Sequence, residues 1–289
     1  MQFWCGTAFL PTRDIPVVAN LLDQAGCYHG ITTSDHLIYP RDLRSPYPTG
    51  GKPPWPPETA WPDSWVTIGA MAAVTTKLLF SNAVYIAPAR PLLEIAKQVA
   101  TAAELSAGRV SLALGTGWMR EEFELLGQDF DNRGARTDEM IDALRALWQG
   151  GWVSFDGEHY QIPELMLEPH PPAPVPIYCG GDTNVALRRA ARMCDGWVGK
   201  AYRWDDAVPV LERLQNYRRQ FGRDDQPFEI VLALLELPSA DLYRRAADLG
   251  VTGVMCSPWA GAPVAPGDAA GYRAGIERFA EDVIARAEV

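Results

Sequence analysis

Short apolar runs alternate with longer segments of helical period along most of the chain, an order that predicts a parallel sheet with crossover helices. The first run, Phe3 to Phe9, is followed by a helical stretch from Ile15 to Ala25 that stops at Gly26. Further strands are predicted at Gly30 to Thr33, Leu78 to Ile86, Val110 to Leu114, Pro176 to Cys179, Gly196 to Val198, Glu229 to Leu235 and Gly253 to Cys256. Helices fill the gaps at Ser64 to Val74, Asp138 to Trp148, Val185 to Met193, Ala207 to Phe221, Ala240 to Leu249 and Tyr272 to Arg286, and one more is opened by Pro91 and closed by Gly108. Eight strand-plus-helix units predict an α/β fold, a single (β/α)8 TIM barrel over residues 1–289. A doubly wound open sheet is the alternative fold.

Two stretches break the pattern. From Ile38 to Asp63 the chain holds eight prolines together with Tyr39, Tyr47, Trp55 and Trp61, and no regular element survives that proline density. The segment far exceeds an ordinary βα loop of about 2–6 residues and leaves the barrel after strand two, on the face where barrel active sites lie. It reads as a lid over an apolar substrate or, on the same composition, as an oligomer contact. The second stretch, between Trp148 and Pro176, is an excursion without an assigned element.

Composition narrows the partners. Hydrophobic residues make up 47% of the 289 positions and charged residues 21%, enough for one large core with no disordered tail. A net charge of −10 repels phosphodiester backbones and anionic lipid, which argues against nucleic acid and membrane surfaces as partners. Five scattered cysteines without a Cys-x-x-Cys pair predict reduced thiols and no metal site. With neither a basic leader nor a run of about 18 apolar residues, the expected location is cytoplasmic.

The chemistry should sit in the residues that follow each strand. Asp35 and His36 follow strand two, and a histidine oriented by a carboxylate can take or give a proton near neutral pH; the other reading of the pair is a turn cap beside a structural histidine. Gly180-Gly181 precedes a helix that Asp182-Thr183-Asn184 can cap, which suits either an anion at the helix N-terminus or a tight βα turn. Gly115-Thr116-Gly117 could let a flat ring lie on the backbone or simply turn the chain. Trp118, Tyr39, Trp55 and Trp61 could form an apolar wall and lid for an aromatic ligand, with anchoring of the proline-rich segment to the barrel the favoured reading for Trp55 and Trp61. The balanced charges from Arg120 through Glu121 and Glu122 to Glu139 are assigned to ion pairing around a helix start.

Several of these motifs occur together in one family. Thr33-Ser34-Asp35-His36, Leu105-Ser106-Ala107-Gly108-Arg109 through Leu114-Gly115-Thr116-Gly117-Trp118, and Tyr178-Cys179-Gly180-Gly181 with Asp195-Gly196-Trp197 resemble, in that order, the motifs of the luciferase-like flavin oxidoreductases in their coenzyme F420-dependent branch. The resemblance implies a deazaflavin beside Asp35 and His36, with His36 handling the proton at the substrate. It also implies a non-prolyl cis peptide behind the ring, which maps to Ala83-Val84, a phosphate at Gly180 and Gly181, and further cofactor contacts from Thr116, Gly117, Trp118, Cys179 and Asp182. His36, Tyr39 and Trp118 would face the substrate. Sugar-phosphate dehydrogenases of the family carry an acid after the Gly-x-Gly where this chain has Trp118, so the expected substrate is a small, flat, apolar molecule. The alternatives are an FMN-dependent monooxygenase served by a separate flavin reductase, and a non-catalytic flavin or deazaflavin carrier. A homodimer is the protein partner considered.

Overall fold

In the computed structural model, which describes residues 1–260, 262 and 264–287, the chain runs through β1 (Gln2–Gly6), α1 (Ile15–Ala25), β2 (Gly30–Thr33), α2 (Ser64–Ala72), β3 (Leu79–Asn82), α3 (Leu92–Leu105) and β4 (Leu112–Leu114). It continues through α4 (Arg120–Leu125), α5 (Arg133–Leu147), β5 (Trp152–Asp156), β6 (Gln161–Met166), β7 (Ile177–Gly180), α6 (Asn184–Met193) and β8 (Gly196–Tyr202). The last elements are α7 (Trp204–Gln220), β9 (Glu229–Leu234), α8 (Ala240–Asp248), β10 (Gly253–Cys256) and α9 (Ala269–Phe279). Local signals set many of the boundaries. Asp63 accepts from the Trp65 and Val66 amides at the start of α2, Thr183 caps α6 and Ser239 caps α8, while α1 ends on Gly26 at φ 73°.

Eight parallel strands are ordered β3-β2-β1-β10-β9-β8-β7-β4. The two ends of that order meet through parallel bridges from Phe80 to Val110 and from Tyr85 to Leu114, so the sheet curls into a nearly closed barrel with the helices outside. Between these bridges β3 leaves the ladder, and the Ala83-Val84 peptide is cis. The main core lies between barrel and helices, where Ile31, Phe80, Ile95, Leu112 and Trp197 are almost fully buried. A smaller cluster of Ala113, Tyr178 and Val198 fills the barrel interior beneath Ala83, Val84 and Met255.

Three features depart from the sequence expectation. The excursion before β7 is an antiparallel hairpin, β5 with β6, whose tip is held because Glu139 of α5 accepts from the Glu158, His159 and Tyr160 amides. One face of β5 is exposed, so its pattern carries too little apolar signal to stand out. Helix α5 begins at Arg133, five residues before the apolar periodicity, and the charged stretch ahead of it forms α4. The last predicted helix stops at Phe279 and passes into a π-helical turn over Ala280–Ile284. Among the described residues no helix is long and apolar enough to cross a membrane.

Candidate functional site

The C-terminal strand ends and the proline-rich segment enclose a cavity of about 1200 Å³, lined mostly by apolar surface. Of the residues singled out in the sequence, Asp35, His36, Ala83, Val84, Thr116, Gly117, Trp118, Gly180, Gly181 and Asp182 all line it. Two do not. Cys179 is fully buried, with its thiol against Cys194 and Arg189 in the outer core. Tyr39 stays outside the lining, and Tyr47 from the same segment occupies the wall, its ring 5.3 Å from Trp118.

The Asp-His pair divides its work. Asp35 is buried and meets the Arg90 guanidinium in a two-pronged contact, with Nη1 to Oδ2 at 2.8 Å and Nη2 to Oδ1 at 2.7 Å, while the Ile86 amide donates to Oδ2 at 2.8 Å. Burial pushes the Asp35 carboxyl up, and the pull of Arg90 and the Ile86 amide opposes that rise. Both oxygens are engaged away from His36, so the orienting carboxylate expected from the adjacent position is not Asp35. It is Glu122 of α4, whose Oε1 lies 3.3 Å from His36 Nδ1 and also accepts from the Leu37 amide at 2.8 Å. An acceptor at Nδ1 favours the tautomer protonated there, in which Nε2 is the ring's acceptor.

Three indoles surround the imidazole. Ring centroids of Trp55, Trp61 and Trp118 lie 5.3, 5.6 and 5.7 Å from that of His36, and Trp55 and Trp61 are 5.3 Å from each other. Trp55 and Trp61 therefore do more than anchor the proline-rich segment, because both line the cavity. Their position depends on α4. Glu121 accepts from the Arg44 and Ser45 amides at 2.7 and 3.0 Å and from the Ser45 hydroxyl at 2.7 Å, and Ser45 Oγ in turn accepts from the Arg120 amide. Against the effect of burial, those donors hold the Glu121 carboxyl below the usual carboxylate range. The stretch assigned to ion pairing does pair with Arg44 through Glu121 and Glu124, and Glu121 and Glu122 in addition accept from backbone amides at the start of the segment. Only the adjacency of Glu121 and Glu122 to a Gly-x-Gly-Trp turn could have flagged them in the sequence.

The glycines also have more than one function. A Cβ on Gly115 would lie 2.4 Å from Val84 Cγ2, and one on Gly180 would lie 2.6 Å from Val84 Cγ1. These two positions are small because the β3 excursion drives Val84 between the ends of β4 and β7. Gly181 differs: it sits at φ +95°, its carbonyl accepts from Trp197 Nε1 at 2.8 Å, and its backbone faces the cavity ahead of the capped N-terminus of α6. The first-turn amides of α6 have no acceptor within the helix, and the dipole there favours an anion. The Asp182 carboxylate has a cation of its own. Burial pushes its carboxyl up, but Lys200 Nζ at 2.8 Å and the Tyr202 hydroxyl outweigh this and hold it below the usual carboxylate range.

Comparisons agree with this architecture. The family model described as luciferase-like monooxygenase matches residues 10–241. An uncharacterized protein of Mycobacterium tuberculosis (strain ATCC 25618 / H37Rv) is 35% identical over 268 residues, spanning 91% of this chain and 92% of the relative. Pyrimidine monooxygenase RutA of Variovorax paradoxus (strain S110) is 31% identical over 183 residues, 60% of this chain and 49% of the relative. Among solved structures, the monooxygenase RslO1 from Streptomyces bottropensis superposes with a TM-score of 0.75 at 16% identity, covering 99% of both chains. An F420-dependent secondary alcohol dehydrogenase, solved with an F420-acetone adduct, superposes with a TM-score of 0.66 at 19% identity over 86% of this chain and 72% of the other. At those identities the two structures speak to the fold.

Proposed function

The chain belongs to the luciferase-like monooxygenase family, and on that premise we propose that it is a coenzyme F420-dependent oxidoreductase acting on a small, flat, apolar substrate. The observation that carries the reading is His36, an imidazole anchored through Nδ1 by a buried carboxylate, with Nε2 left for the cavity inside a box of indoles. A non-catalytic carrier has no use for so constrained a proton-transferring group.

The residues fit a tricyclic cofactor with a phosphate. Val84 supplies apolar surface to the cavity, Thr116 and Gly117 line it as well, and Gly181 with the first turn of α6 offers an anion cradle. When bound, a deazaflavin supplies the hydride chemistry. The chain itself would orient the substrate against Trp118, exclude water with Tyr47, Trp55 and Trp61, and move a proton at His36 Nε2. A hydroxyl on the reacting carbon would give its proton to this nitrogen, or a carbonyl oxygen would receive one in the reverse direction.

A second reading, an FMN-dependent monooxygenase supplied with electrons by a separate flavin reductase, draws support from the similarity to pyrimidine monooxygenase RutA. Equilibrium titration of the purified protein with coenzyme F420 and with FMN separates the two. F420 is expected to bind at least about tenfold more tightly, a difference of about 1.4 kcal/mol. Tight FMN binding with no measurable F420 binding would replace the first reading by the second.

Gly181→Val tests the phosphate cradle. A side chain at φ +95° is strained and would crowd Ala186 Cβ, so a stability loss on the order of 1–3 kcal/mol is expected. Cofactor affinity of the folded protein, measured well below its melting temperature, is expected to fall more than about tenfold because the side chain occupies the anion's approach. An unchanged Kd would move the phosphate elsewhere in the cavity.

A further inference from the structure

We infer that Glu122 is the positioning residue of the site: it fixes the tautomer and orientation of His36 and couples them to the start of the proline-rich segment. The inference rests on the proposed proton-handling role of His36. It goes further by assigning the group that makes that imidazole a directed acceptor.

Four observations converge on this carboxylate. Glu122 is 1% exposed, so its placement is set by the fold and not by solvent. One oxygen, Oε1, serves both His36 Nδ1 and the Leu37 amide, which fixes the imidazole relative to the backbone that follows it. The other, Oε2, is buried with no hydrogen-bond partner, so the carboxylate keeps unspent acceptor capacity beside the ring. Finally, the nearby buried cation, Arg90, is already engaged in its two-pronged contact with Asp35. With Arg90 held by Asp35, the side-chain contact left to Glu122 is His36 Nδ1. A proton taken up at His36 Nε2 would leave Nδ1–H directed at Glu122 Oε1, 3.3 Å away, without importing any group from solvent.

The arrangement gives Glu122 a function that simple packing would not require. Leu37 needs only a hydrogen-bond acceptor, which an amide oxygen provides equally well. His36 needs an acceptor at Nδ1 for direction and a negative charge for compensation. Substitutions can therefore separate the requirements. Glu122→Gln retains an oxygen for Leu37 and for Nδ1–H but removes the charge, whereas Glu122→Leu removes both.

The experiment is long-range ¹H–¹⁵N correlation NMR of protein labelled with ¹⁵N-histidine. The chain has four histidines, and a His36→Asn spectrum assigns the His36 signals by their disappearance. In the wild-type protein, at a pH where the ring is neutral, His36 is expected as the Nδ1–H tautomer. Glu122→Gln is expected to keep that tautomer, and Glu122→Leu to shift it toward Nε2–H. Turnover is expected to fall about 10–100-fold in Glu122→Leu, by analogy with the loss of the hydrogen-bond partner that orients a metal-ligating histidine. A wild-type ring already in the Nε2–H form overturns the assignment, and this measurement does not depend on whether any variant folds. So does a Leu variant that retains Nδ1–H. If the tautomer shifts as expected while turnover is unchanged, the positioning role stands and the proton-handling role of His36 is what fails.

Discussion

Turnover of the His36→Ala protein is expected to fall roughly 10²–10⁴-fold while cofactor affinity stays within a few-fold of wild type, the usual separation when a positioned acid or base is removed from a site whose binding contacts lie elsewhere. The separation follows from the geometry. His36 sits within the indole box of Trp55, Trp61 and Trp118, whereas the proposed anion cradle is at Gly181 and the first turn of α6, across the cavity on a different strand. Loss of the ring removes the acceptor for the substrate proton and leaves Glu122 buried without its partner, but it leaves the surface of Val84 and the α6 terminus intact. The measurement is a pair of titrations, one of cofactor against each protein and one of initial rate against substrate, so that kcat and binding are read separately. Unchanged kcat removes His36 from the mechanism. Parallel loss of kcat and cofactor affinity would mean that the ring supports the cofactor itself.

Asp35→Asn is expected to produce the largest loss of stability of any change at the site, about 3–5 kcal/mol, because it leaves the Arg90 guanidinium buried without its counter-charge. The two side chains are only 12% and 3% exposed, so water does little to screen the loss. An asparagine can still accept from the Ile86 amide but cannot neutralise Arg90. That amide lies just beyond the Ala83-Val84 excursion, so Asp35 also tethers the segment on which the cavity floor rests. Chemical denaturation midpoints measure the loss, and initial rates far below the transition check function: the folded fraction should keep kcat within about tenfold. A stability change under about 1 kcal/mol with a large loss of kcat would return Asp35 to the catalytic role that its place beside His36 suggests.

These two substitutions mark the line between what was legible in one dimension and what was not. The alternation of apolar runs with amphipathic segments led to the barrel, since a parallel sheet covered by helices needs near-continuous hydrophobic strands such as β2 and β7, both buried along their whole length. The βα turns were legible because their chemistry is local. A glycine with positive φ, a threonine cap and a histidine after a strand are each properties of a few consecutive residues, and Gly181, Thr183 and His36 all lie where those rules put them, on the cavity. The hairpin β5–β6 escaped because its half-exposed strands carry little apolar signal. The indole box escaped because a proline-rich segment has no period, and without a period nothing in the sequence says which way Trp55 and Trp61 point.

The partner of His36 is the clearest case. Sequence adjacency suggested Asp35, but both Asp35 oxygens are taken by Arg90 and the Ile86 amide. The carboxylate that meets His36 comes from Glu122, 86 positions away, on a short helix that reaches the site only because the barrel has closed. The small size of Gly115 and Gly180 has the same origin, since Val84 arrives between them from another strand. By itself the sequence determined the barrel, the face on which the cavity opens and many of the strand-end residues that line it, all of which follow from short-range periodicity and turn geometry. Tertiary structure alone decided which side chains pair, because contact between residues far apart in the chain depends on the three-dimensional path of the whole backbone, and no local pattern encodes that path.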